Sequence, residues 1–143
     1  MAVNGQGVDV TIAAAAVFAS SQFCFVKVNA SGLAAIAGAG ENAFGILQND
    51  PDAASKACTV RIFGISKVLV GSAGVTVGDD VASDTVGRAK TAVKGKTDTS
   101  NTGAAADALL GSYVLGVAME TGVSGDIIKM LYHPKGIVPT TAS

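Results

Sequence analysis

Residues 58–71 read CTVRIFGISKVLVG, and the reading of this stretch decides the fold. Val60 and Ile62 alternate with Arg61 and Phe63, the period-two pattern of a strand with one face in a core and the other in water. Gly64 separates this run from ISKVLV, a second run rich in β-branched residues that Gly71 closes. Outward from here, one phrase is written twice. FGIL at 44–47 leads through a polar loop into TVRIF at 59–63, and LGVA at 115–118 leads through another into IIKML at 127–131. The alignment sets Gly45 against Gly116 and Arg61 against Lys129. Upstream, Val26 is followed by Gly32 and Ala34 at the spacing with which Val81 is followed by Gly87 and Ala89.

These echoes predict two repeated β-units, about 8–63 and 64–132, within a single domain spanning 8–132. An N-terminal arm or first strand at 1–12 precedes it and a C-terminal tail at 133–143 follows it. The fold class is mainly β, a small barrel or sandwich, because many short strands punctuated by glycine turns close most readily in that way. At most one or two short helices are expected, with TIAAAAVFASSQ at 11–22 and AAADALL at 104–110 as candidates, the latter with Thr102 as its cap. Gly45, Gly116, Gly32 and Gly87 are the expected structural turns, where positive φ or close packing excludes a side chain.

Composition narrows the function. The chain has 143 residues, a net charge of −1 and only 15% charged residues, so it lacks the basic stripe that a phosphate backbone requires. Its 49% hydrophobic content is mostly Ala and Val, with five Phe, two Tyr and no Trp. Such small side chains bury little area each, which favours an oligomer whose partner surface adds burial. Cys24 and Cys58 lie among apolar neighbours and read as buried thiols of a protein made in a reducing cytoplasm. No basic signal region precedes the apolar run at 10–19, which is too short and too rich in Ala to cross a bilayer.

No catalytic, cofactor or metal site is expected. His133, in LYHPKG, has no nucleophile that can be argued to partner it, and the proline after it is expected to end the last strand's pairing. Asp79, Asp80 and Asp84 gather in GDDVASD without the terminal Glu of a calcium loop and read as turn chemistry. GKT at 95–97 lacks the upstream glycine of a phosphate loop, and GAGENAFG at 38–45 lacks the spacing of a dinucleotide fingerprint. Nothing specifies an enzyme, a nucleic acid, a membrane or a small-molecule substrate as its business.

The run from Phe25 to Lys90, with its GILQNDP, TVRIFGISKV, GVTVGDDV and Gly87-Arg88-Ala89 phrases, and LGVAMETGVSGDIIKMLY near the end, resembles the capsid cement, or head decoration, proteins of tailed bacteriophages. The likeness covers about residues 8–132. It implies a β-rich structural module, a homotrimer that binds the major capsid protein on the outer surface of the icosahedral head and steadies it. A phage tail or fibre component, and a small β-barrel ligand-binding domain, are the alternatives. For the grip on a partner, the first dozen residues suggest a strand: Val8, Val10 and Ile12 alternate with Asp9 and Thr11 and suit either addition to a neighbour's sheet or the first strand of the domain's own.

Overall fold

The computed structural model describes residues 2, 4–93 and 111–137. Its strands are β1 (Gly7–Ala13), β2 (Phe25–Val28), β3 (Ala34–Ile36), β4 (Gly45–Leu47), β5 (Ala57–Leu69), β6 (Asp80–Ser83), β7 (Ala89–Thr91), β8 (Tyr113–Ala118) and β9 (Ile127–Ile137). The protein is mainly β, one antiparallel sheet curled into a half-barrel, with no helix among the described residues. The 11–22 stretch ends β1 and then runs through an isolated bridge at Ala14 and turns, where Phe18 N–H donates to the Pro51 carbonyl at 2.8 Å. The alanines there carry helix propensity, but pairing with β5 outweighs it, as tertiary context does for a weak local preference. The 104–110 candidate and the GKT triplet lie outside the described residues.

The strand order is β3-β2-β4-β5-β9-β8-β6-β7, with β1 on β5 beside this path. It reads alike from both ends: β2 pairs with β3 and β4 as β6 pairs with β7 and β8, and β4 meets β5 as β8 meets β9. The registers match as well. Val26 lies opposite Gly45, and Val81 opposite Gly116. Ala13 lies opposite Ala57, and Leu69 opposite Ile127. The thirteen-residue β5 therefore serves both halves, its beginning closing the first against β1 and its end opening the second against β9.

The register corrects one detail of the alignment. Leu47 faces Val60 as Ala118 faces Met130, so Arg61 corresponds to Leu131 and Lys129 to Thr59. The two basic residues are thus two positions out of register with one another. A second correction concerns Pro134. Pairing of β8 with β9 resumes beyond it, at Val114 with Gly136 and Tyr113 with Ile137, and Pro134 sits in the irregular stretch between Tyr132 and Gly136. A proline, lacking an N–H, is tolerated at such a bulge, so β9 runs five residues past the expected boundary at 132.

Two contiguous cores result. One gathers Ala14, Phe18, Val26, Ala34, Leu47, Cys58 and Val60, with Val10 and Ile12 packed against it. The other centres on Val68, Val70, Val81, Met130 and Tyr132 and takes in Phe25 and Ile46 from the first half. Phe25 and Tyr132 stand 6.3 Å apart between ring centroids, and the buried Tyr132 hydroxyl donates to the Ala43 carbonyl at 2.7 Å. A polar tip that finds a partner removes the cost of burying it.

Candidate interaction surface

The turns set what the surface offers. Asn29 Oδ1 accepts from Ser31 N–H at 2.9 Å and Leu33 N–H at 3.0 Å; Asp84 Oδ1 accepts from Val86 and Arg88 N–H, both at 2.9 Å. Each turn then places a glycine in the left-handed region, Gly32 at φ 76° and Gly87 at φ 78°. The side-chain carboxamide or carboxylate satisfies two N–H groups that the tight turn strands. Gly32 has open space around its Cα, whereas a Cβ on Gly87 would come 2.8 Å from the Phe25 carbonyl oxygen.

Gly45 and Gly116 are sites of close approach. A Cβ on Gly45 would press on the Arg61 carbonyl oxygen and stand 2.5 Å from Val60 Cγ1. At Gly116, φ is 155° and a Cβ would collide with the Leu131 carbonyl oxygen. In each half the strand that enters the core lies against the backbone of the strand that closes it, and only a missing side chain permits the distance.

The N-terminal strand belongs to the chain's own sheet. β1 pairs with β5 from Gly7 opposite Gly64 to Ala13 opposite Ala57, with a bulge between Val8 and Asp9. Arg61 fastens it, Nε donating to Asp9 Oδ1 at 2.7 Å, Nη2 to Asp9 Oδ2 at 3.1 Å, and Nη1 to the Gly5 and Ile65 carbonyls at 3.0 and 2.7 Å. The Asp9 carboxylate beside it raises the Arg61 pKa. Val10 and Ile12 are half-buried and only Val8 stays exposed. Of the three residues considered for partner contact, Val8 alone presents its side chain to solvent.

The acids of GDDVASD work separately. Asp79 Oδ2 accepts from Thr76 N–H at 3.0 Å and Thr91 Oγ1 at 2.8 Å, Asp80 pairs with Lys135 Nζ at 3.4 Å, and Asp84 caps its turn. His133 is exposed and packs edge-to-face on Phe63 at 5.7 Å. Cys24 and Cys58 are buried free thiols, and burial pushes the Cys24 pKa up to about 11. Among the described residues, no three His, Cys, Asp or Glu side chains gather as metal ligands.

The surface is instead marked by exposed apolar residues at one end of the second half, Val77, Met119 and Val123 in the loops and Ile127 at the start of β9. Val77 N–H donates to Thr121 Oγ1 at 3.0 Å and Val75 bridges Gly122, which holds the 76–79 and 119–126 segments side by side. Single valines in loops are ordinary on a protein surface; the register is what sets the segments carrying these residues beside one another.

These features define a class, the small domain of two matched antiparallel β-units that share a central strand. A solved structure with this fold is the head fiber gp8.5 N base in bacteriophage phi29, with a TM-score of 0.58 and 18% sequence identity over 90% of this chain and 95% of that one. At that identity the likeness establishes the fold. No protein-family model matches the chain, and no curated protein does.

Proposed function

We propose that the chain is a structural, non-enzymatic protein of a tailed-phage head, mounted on the outer surface of the capsid as a decoration protein. The observation that carries the reading is the fold shared, over nine-tenths of the chain, with a protein whose name places it at the base of a head fiber. The phage-cement phrases of the sequence support the same reading independently. In this role the major capsid protein is the partner and a homotrimer is the working unit, matched to the local threefold meeting points of a shell. A fibre base is the second reading, favoured by the neighbour's own description.

Electron microscopy of heads produced with and without the gene tests it. The expected result is density on the outer face of the shell, in threefold clusters, that vanishes in the deletion. Heads identical in both preparations, or the protein recovered only with tails, would overturn the reading.

A further inference from the structure

The two halves supply an internal comparison. Phe23 N–H donates to the Leu47 carbonyl at 2.7 Å as Gly78 N–H does to Ala118 at 2.8 Å. Gln48 N–H donates to Thr59 at 2.8 Å as Met119 does to Lys129 at 2.9 Å, and Ser55 donates to Ala14 at 2.8 Å as Gly125 does to Val70 at 3.0 Å. Position for position, Val77 stands where Gln22 stands, Met119 where Gln48 does, Val123 where Ala53 does and Ile127 where Ala57 does.

The backbone therefore does not require large apolar residues at these four places, since the first half has two glutamines and two alanines there. In the first half the matching end holds two glutamines whose side chains are satisfied within the chain, beside the exposed Val17. Gln22 Nε2 donates to the Gln48 carbonyl at 2.9 Å, and Gln48 Nε2 to Ser66 Oγ at 2.9 Å and the Ile46 carbonyl at 3.0 Å. In the second half Val77 is 58% exposed, Val123 68%, Ile127 45% and Met119 38%. A cluster of apolar side chains left in water marks a contact surface. Charge differs too. Asp79 and Asp126 stand where Cys24 and Lys56 stand, and among the described residues they accept only from neutral donors.

We propose that this end of the second half, Val77, Met119, Val123 and Ile127 flanked by Asp79 and Asp126, is the face that seats on the head shell, in an apolar depression of a shell subunit rimmed by lysine or arginine. The inference rests on the function proposed above and names the surface it uses. Charge complementarity selects the occupant. On a second copy the cations beside the exposed Val28 and Phe63 already hold Glu41 and Asp9, which makes those two places poorer seats.

The test transplants the first half's residues onto the second. Full-length protein and the triple variant V77Q/M119Q/V123A are co-sedimented with heads assembled without the protein. The wild type is expected to bind and the triple variant to lose at least tenfold in affinity, with an unchanged melting midpoint; Q22V/A53V, at the matching end, binds like the wild type. Asp126→Lys, an exposed change to the residue type at position 56, carries the test should the triple variant fold poorly; it is expected to weaken binding most at low salt. Equal binding of wild type, triple variant and Asp126→Lys sinks the proposal and leaves the head-protein reading standing. A wild type that does not bind heads sinks both. Self-association that the triple variant abolishes also overturns the proposal, because the occupant would then be a second copy.

Discussion

At the scale of single residues, the four glycines expected at turns separate into two kinds, Gly32 and Gly87 in turns and Gly45 and Gly116 within strands β4 and β8. Gly32 needs only its positive φ, so Gly32→Ala is expected to cost about 1 kcal/mol. Gly116 combines an unusual φ with a neighbouring carbonyl that cannot move without breaking the β8–β9 ladder, and Gly45 abuts the Arg61 carbonyl in the same way. Alanine at Gly116 is expected to cost about 3 kcal/mol or more, where backbone strain and overpacking add, and alanine at Gly45, where overpacking acts alone, about 1–3 kcal/mol. Urea denaturation separates the two classes, and equal costs at Gly32 and Gly116 would contradict it. Ser55 tests the opposite sign. It is exposed with φ 68°, where the matching residue of the second half is Gly125 at φ 89°. Ser55→Gly is expected to raise stability by about 0.5–1 kcal/mol, since relief of the left-handed strain exceeds the entropy glycine adds to the unfolded chain. Cys24 sets a pH dependence. Its folded pKa, near 11, lies above its ordinary value of 9.0 because burial disfavours the thiolate. Its contribution to stability is thus full below pH 9 and lost as pH rises toward 11, because the unfolded chain gives up that proton first. Thermal melts of wild type and Cys24→Ala across pH 8–11 are expected to converge as pH rises, and parallel curves would refute the assignment.

At the scale of elements, β5 is central and the ends of the sheet are short. β5 is flanked by β4 and β1 along its beginning and by β9 along its end, whereas β3 and β7 have three residues each. Amide exchange is therefore expected to be slowest at Val60 and Val68 and fastest in β3 and β7; protection as strong in β7 as in β5 would contradict the order. Much of this architecture was legible in the chain. CTVRIFG shows its alternation openly, and the structure buries Val60 while leaving Phe63 exposed. The mainly β class followed from such runs. What stayed hidden had physical reasons. The exchange of Asn29 for Asp84 conceals identical turn chemistry beneath different letters. A basic residue in an apolar run looked like a landmark, yet Arg61 clamps β1 through Asp9, whereas Lys129 lies opposite Lys67 in the β5–β9 ladder. The apolar end near Val77 could not be read from the chain, because Val77 lies 42 residues before Met119 and its segment joins the 119–127 segment only through pairing.

At the scale of the whole molecule, two cores are joined by one strand. Cys58 and Val60 of β5 sit in the first core and Val68 in the second, while Phe25 and Ile46 cross from the first half into the second core. The halves are thereby expected to unfold together. Val60→Ala and Val68→Ala should each lower the same single transition, by about 2 kcal/mol for two buried methyl groups and the space they leave. Two separate transitions, each shifted by only one of the substitutions, would show independent halves.

The division of β5 also bears on how the protein is made. Every ladder partner of the first half, β1 with β5, β2 with β3 and β4, and β4 with β5, lies within the first 64 residues. A nascent chain can close that sheet while the rest is still on the ribosome. Until Tyr132 and the second core arrive, Phe25 and Ile46 have only Ala37, Ala43 and Phe23 from their own half to cover them. The interval between translating Gly64 and translating β9 is therefore when the growing polypeptide is most adhesive, and when a chaperone would have most to hold.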